Sequence, residues 1–326
     1  MAAITVLLLR TIVALVPYAL LVKTIKLGTS ELEVSEISLG CMRIGGMEPA
    51  AVDELLSTSI DQGIDFYDHA DIYGSGKCEE VFAASITRLG IARERLFLQS
   101  KCGIRKGFFD FSKEHILTSV DAILQRLSTD YLDVLLLHRP DTLIEPEEVA
   151  EAFGQLQDQG KVRHFGVSNF NPGQIELLQA SLPMKLQANQ LQFGIMHTGM
   201  IDQGITVNMK HENSVVRDGG ILDYCRLKKI TIQPWSPFQF GFFEGVFVDN
   251  PKFPELNKVL DDLSAEYGVT KTGLAIAWIQ RHPAKMQSIL GTTNPGRVKE
   301  VAKACEIELS RPHWYEIYRA AGNILP

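Results

Sequence analysis

The sequence has few of the features that would set it apart from ordinary globular enzymes. Its five cysteines, Cys41, Cys78, Cys102, Cys225 and Cys305, are odd in number and widely spaced, and none forms a C-x-x-C pair. That excludes a disulfide framework and a zinc ribbon and suits a reducing cytoplasm, the expected location. Lys and Arg number 32 against 39 Asp and Glu, a formal net charge of -7. The basic residues come singly or in pairs, so a polyanion-binding patch is missing and no nucleic-acid partner is expected. With 45% hydrophobic and 22% charged residues, the composition also excludes disorder and coiled coil for the chain as a whole.

Long apolar runs are scarce too, and the one present, Ile4 to Val22, stands at the start. Arg10 near its middle and Pro17 are costly in a membrane helix. The first nine residues carry no basic side chain and no A-x-A site follows, against a secretory signal. Residues 1–23 therefore read as a leader outside the fold, with membrane contact only if it is retained and inserts. Residues 24–326 read as a single domain, because no repeat or low-complexity linker divides them.

What fills that domain is an alternation of short apolar, β-branched runs with amphipathic helical stretches. The strands are expected at 35–40, 63–68, 96–101, 132–138, 164–168, 186–190, 231–235 and 288–291. Between them, Ala51 to Asp61 and Lys113 to Leu127 carry apolar residues at helical spacing, and Ser112 reads as a helix start. Eight such β/α repeats are the number a (β/α)₈ TIM barrel needs. The competing doubly wound sheet would require G-x-G-x-x-G after the first strand, and Gly40-Cys41-Met42-Arg43-Ile44-Gly45 does not supply it. Lys26 to Val34, with Gly28-Thr29-Ser30, reads as a β-hairpin able to plug the bottom of the barrel.

Polar residues at the C-terminal ends of barrel strands line the face where such folds do chemistry. Strand two ends in Asp68-His69-Ala70-Asp71-Ile72-Tyr73-Gly74, strand three in Lys101, and strand four in His138-Arg139-Pro140-Asp141. Any one of these alone is an ordinary rim residue, but an acid, a phenol, a lysine and an imidazole from adjacent strands form a set. A cation beside a tyrosine lowers its pKa, a carboxylate holds the cation, and an imidazole can orient a carbonyl oxygen. Asp68, His69, Asp71 and His138 could also ligate a metal, but that reading leaves Lys101 and Tyr73 without a role. Gly74-Ser75-Gly76-Lys77 fails the P-loop pattern, and Gly166-Val167-Ser168-Asn169-Phe170 lacks the closing glycine of a nucleophile elbow. The isolated His115, His211, His282 and His313 read as surface residues.

The segments Phe66 to Gly74, Ser100-Lys101-Cys102-Gly103, Leu137 to Asp141 and Gly166 to Phe170 resemble the signature segments of the aldo-keto reductase superfamily. The resemblance runs in order from about Thr24 to Ala321 and is strongest to the short-looped bacterial oxidoreductases. It implies NADP(H)-dependent reduction of an aldehyde or ketone by a catalytic set of Asp68, Tyr73, Lys101 and His138. Tyr73 would be the proton donor, with its pKa depressed by Lys101. It also implies that Ser168, Asn169 and Gln190 bind the carboxamide, Trp235 stacks on the nicotinamide, and Ser236 covers the pyrophosphate. The adenosine end would fall to the stretch containing Gly291, Thr292, Asn294, Arg297 and Glu300, with Arg297 near a 2′-phosphate. A lysine often found near Thr293–Asn294 is missing, and Val301 stands where an asparagine is expected, so NAD(H) stays open as the cofactor. The aromatic loops around Phe108–Phe111 and Phe238–Phe247 either cap the barrel or form an apolar rim for the substrate. The sequence ends soon after the segment His313 to Ala321, which implies an open, permissive pocket. The expected partner is a small carbonyl substrate, on a monomer or weak homo-oligomer. The alternative is a cofactor-sensing regulatory subunit with little turnover.

Overall fold

The computed structural model describes residues 22–326, so residues 1–21 of the apolar leader lie outside the described residues. The body begins slightly earlier than Thr24. Val22 is buried in the main core, and Lys23 accepts a backbone hydrogen bond from Glu36 at 2.9 Å.

Eight parallel strands form the sheet: Ile37–Gly40, Phe66–Asp68, Phe97–Cys102, Leu132–Leu137, Val162–Ser168, Leu186–Gln192, Thr231–Trp235 and Ser288–Leu290. Each neighbours the next in sequence, and the eighth pairs with the first, Ser288 against Ile37. The seventh and eighth meet through the Gln287 N–H, which donates to the Ile232 carbonyl at 3.1 Å and brings the sheet round to a barrel. The strands are buried on both faces, which is why they read as apolar runs, and their outward residues pack under helices. Tyr67 lies against Phe82 of the helix Lys77–Leu89, and Phe165 stacks on Phe153 of the helix Pro146–Asp158 with ring centroids 4.0 Å apart. Gly166 is required where strands five and six converge, since a Cβ there would stand 2.6 Å from the Ala188 carbonyl oxygen.

The helix expected at Lys113–Leu127 is present and starts where the cap was read. Ser112 Oγ accepts from the His115 N–H at 3.3 Å. The hairpin also forms, Thr24–Lys26 pairing antiparallel with Glu33–Ser35. Its Leu27, Leu32 and Val34 pack against Phe66, Val134, Leu136 and Ala188 from inside the barrel, closing the bottom with apolar side chains. Above that layer the interior turns polar. Gln233 Nε2 donates to Gln99 Oε1 at 3.1 Å and to Gln287 Oε1 at 2.8 Å, so strands three and seven and the residue preceding strand eight share an amide layer beneath the site. Buried amides persist only when each finds partners, and these do.

The surface reading of the isolated histidines needs correcting. Only His211 is exposed, while His115, His282 and His313 are half-buried among polar neighbours. Burial holds the pKa of His282 down at about 4, with Arg226 adding to the effect. Among the described residues, no helix is long and apolar enough to cross a membrane.

Candidate active site

The chain leaves strand two at Asp68 and returns through a turn that takes three successive left-handed residues, Gly74, Ser75 and Gly76, at φ 57, 55 and 89. Glycine is the residue for such a path, and at Gly76 a second constraint applies. A Cβ there would meet Arg126 Cδ at 2.6 Å, and Arg126 passes that point to bond Glu79 Oε2 at 2.7 Å. The Gly-Ser-Gly run that imitates a phosphate loop is thus the turn that follows Tyr73 and precedes the next helix.

The turn brings Tyr73 Oη to 3.1 Å from Lys101 Nζ. Lys101 comes from strand three, is fully buried, and donates to Asp68 Oδ2 at 2.8 Å and to the His69 carbonyl at 2.7 Å. Asp68 is itself secured through its other oxygen, which accepts from Gln99 at 2.7 Å and Gln190 at 2.9 Å. His138, from the end of strand four, stands edge-on to Tyr73 with ring centroids 6.0 Å apart. Asp68, Tyr73, Lys101 and His138 are therefore brought together.

Burial sets their protonation. It opposes the charge on Lys101, but Asp68, by charge and hydrogen bond, and Tyr73 outweigh it, and the pKa of the ammonium is raised. Burial pushes the Tyr73 phenol up, and Lys101 pulls it back only in part. The expected net depression of the tyrosine is thus reversed in sign, because removal from water is the larger effect. His138 is held well below its ordinary value by burial, then by Lys101 and Arg139, and is neutral. His69, buried between Phe82 and the lysine, falls to about 3, chiefly through burial.

A cavity of about 480 Å³ opens over this group and runs along the loops after strands seven and eight. Tyr73, His138, Ser168, Asn169, Gln190, Trp235, Ser236, Gly291, Thr292 and Arg297 line it. Ser168, Asn169 and Trp235 hold one another. Asn169 Nδ2 donates to Ser168 Oγ at 2.8 Å, and its Oδ1 accepts from Trp235 Nε1 at 3.1 Å. Asn169 and Ser236 both adopt left-handed backbone, φ 63 and 51, a cost that concentrates at binding sites.

Three of the sequence-selected residues do not line the cavity: Lys101, fully buried beneath Tyr73, and Asn294 and Glu300 at the far end. Asn294 caps the helix Pro295–Ala304, its Oδ1 accepting from the Gly296 N–H at 2.8 Å. Glu300 accepts from Thr270 Oγ1 at 3.2 Å on a neighbouring helix start. Conversely, the cavity wall contains residues that the sequence reading passed over: Met42 and Arg43 after strand one, Arg139, Asp249 and Thr272. Arg43 crosses to the Gly291 carbonyl at 3.3 Å. Position after a barrel strand was the one signal that could have found Arg43 and Arg139. The aromatic loops divide: Phe111, Phe240 and Phe247 are buried, whereas Phe108, Phe109, Phe242 and Phe243 are exposed at the rim.

Residues 36–321 match the model of the aldo/keto reductase family. The chain is 34% identical over 305 residues to the uncharacterized oxidoreductase YcsN of Bacillus subtilis, spanning 89% of this chain and 95% of that one. It is 33% identical over 307 residues to a 6-dehydroglucose reductase of Agrobacterium fabrum, spanning 90% and 96%. Among solved structures, an aldo-keto reductase from Klebsiella pneumoniae in complex with NADPH superposes with a TM-score of 0.73 at 25% identity, covering 91% of this chain and 94% of that one. With the barrel, the strand-end residues and the family model in agreement over most of its length, the chain belongs to the aldo/keto reductase family.

Proposed function

We propose that the protein reduces aldehyde or ketone carbonyls to alcohols with NADP(H), Tyr73 giving the proton. The observation that carries this reading is the buried chain Asp68–Lys101–Tyr73 opening beside a neutral His138 into one cavity. When bound, the cofactor supplies the hydride.

The residues present fit such a cofactor. Trp235 offers a flat face, fixed by its bond to Asn169. Ser168 Oγ is engaged by Asn169 and the Gln190 carbonyl, so the second amide N–H and the remaining oxygen lone pair of Asn169 are what this pair would offer the carboxamide. Gln190 has given its amide nitrogen to Asp68, so its carbonyl oxygen is what it can offer. Ser236 and its loop would hold the pyrophosphate, and the Arg297 guanidinium suits a phosphate at the far end. NADPH is preferred over NADH in this reading on the strength of Arg297.

The protein groups then do acid–base work. Burial keeps Tyr73 protonated, the form needed to donate to a carbonyl oxygen. The phenolate left behind would stand beside the Lys101 ammonium, whose charge Asp68 secures. His138, neutral, can orient the carbonyl without adding a competing charge.

Tyr73→Phe is expected to lower kcat for carbonyl reduction by about 10³-fold or more, while NADPH binding, followed by protein fluorescence, persists. Undiminished turnover in that variant rules out the mechanism. Wild-type protein that binds NADPH but consumes none with a panel of carbonyls would favour the cofactor-sensing alternative.

A further inference from the structure

Arg139 follows His138 in the loop after strand four, and it faces two cavities at once. It lines the catalytic cavity with Tyr73 and His138, and it lines a second cavity of about 600 Å³ beside it. The two share Arg139, Asn169 and Trp235, so the guanidinium stands where the cavities adjoin. The Arg139 side chain is half-buried, its Cζ 5.7 Å from the Trp235 ring centroid. Burial lowers its pKa, and among the described residues no carboxylate acts on it, only the Tyr73 phenol. A guanidinium nevertheless stays charged.

The second cavity also contains carboxylates, each held by neutral donors and neither paired with Arg139. Asp202 accepts from Thr198 Oγ1 at 3.0 Å and from the Tyr318 hydroxyl at 2.7 Å. Asp218 accepts from Gln203 Nε2 at 2.5 Å and from the Gly220 N–H at 3.1 Å. The other cation there, Arg217, has only the exposed Glu212 at 3.7 Å. A half-buried cation without an anion carries a desolvation cost that an incoming oxyanion offsets, and guanidinium pairs with carboxylate in bidentate fashion.

We propose that Arg139 binds an anionic group of the substrate, so that the preferred carbonyl compounds are aldehydes or ketones carrying a carboxylate a few bonds away. The inference rests on the carbonyl-reduction reading above and names its substrate class. For succinic semialdehyde the reaction balances as aldehyde, NADPH and a proton giving 4-hydroxybutanoate and NADP⁺. The carbonyl carbon takes the hydride and its oxygen takes the Tyr73 proton.

The test compares succinic semialdehyde with its neutral methyl ester, methyl 4-oxobutanoate, under NADPH. The wild-type protein is expected to favour the acid by about tenfold or more in kcat/KM. That preference should shrink as KCl is added. Arg139→Gln is expected to bring the acid-to-ester ratio close to one, mainly through KM for the acid, and Arg139→Lys to restore part of it. No preference in the wild-type protein overturns the proposal, and an equal loss on both substrates with weakened NADPH binding overturns it by assigning Arg139 to the cofactor. Turnover of 4-nitrobenzaldehyde is measured alongside. If it proceeds without any acid preference, the Arg139 assignment alone fails. If no carbonyl is turned over, the carbonyl-reduction reading fails instead. Butanoate binding to the NADP⁺-loaded protein, read by tryptophan fluorescence in wild type and R139Q, then still decides whether Arg139 holds an anion.

Discussion

At the hairpin end of the barrel, Leu27, Leu32 and Val34 meet Phe66, Val134, Leu136 and Ala188, and the polar side chains of Gln187 and Thr231 accept hydrogen bonds from the hairpin. At the opposite end, Asp68 is surrounded by Lys101, Gln99 and Gln190, and Tyr73 and His138 stand above. The same strands build both ends: Phe66 and Asp68 are two residues apart on strand two, as are Phe97 and Gln99 on strand three. The lower half holds the barrel shut by hydrophobic burial. The upper half gives up that stabilisation to keep a charged pair and a phenol out of water, where their mutual electrostatics are strong.

This division can be tested at several points. The largest effect is expected for Lys101→Met, which leaves Asp68 buried with amides alone. Breaking a buried ion pair from one side costs about 3–5 kcal/mol, so urea unfolding should register the loss and carbonyl turnover should vanish with it. Leu136→Ala in the lower half should destabilise by about 2–5 kcal/mol through the cavity it leaves. Its kcat is expected to stay near the wild-type value, and a large fall there would mean the two halves are coupled.

The smallest effect concerns Asp71, whose pKa is raised to about 7, first by burial and then by the neighbouring Glu79. A carboxyl with a raised folded-state pKa binds its proton more tightly in the folded chain. Stability from it is therefore present near pH 4 and is lost as pH rises towards and past 7. Asp71→Asn should accordingly stabilise the protein by about 1–2 kcal/mol at pH 8, with the gain disappearing near pH 4. A gain independent of pH would show that packing, not charge, is responsible.

Much of the upper half was legible in the sequence. Asp68, Lys101 and His138 stand at strand ends, and strand ends follow from short β-branched runs bounded by helical periodicity. Tyr73 followed from the motif that continues strand two. The adenosine end was less legible because a side chain's role there depends on local competition. Asn294 satisfies a helix N-terminus and Glu300 a threonine hydroxyl, and either use is invisible in a spacing pattern. Arg43 and Arg139 went unselected for the opposite reason. Arg139 lies inside the Leu137 to Asp141 segment, but that segment points to His138, and only the packing of neighbouring loops turns either arginine towards a cavity.

The sequence by itself determined the alternation of strands and helices, the barrel, and the residue types at its reactive face, because period and strand position are local properties of the chain. Tertiary structure alone decided the protonation of those residues and the reach of the cavity. Tyr73 ends with a raised pKa although a lysine lies 3.1 Å away, since desolvation depends on everything packed around a group. Arg139 ends between two cavities without a counter-charge for the same reason: which carboxylates it meets is set by how distant loops fold against one another.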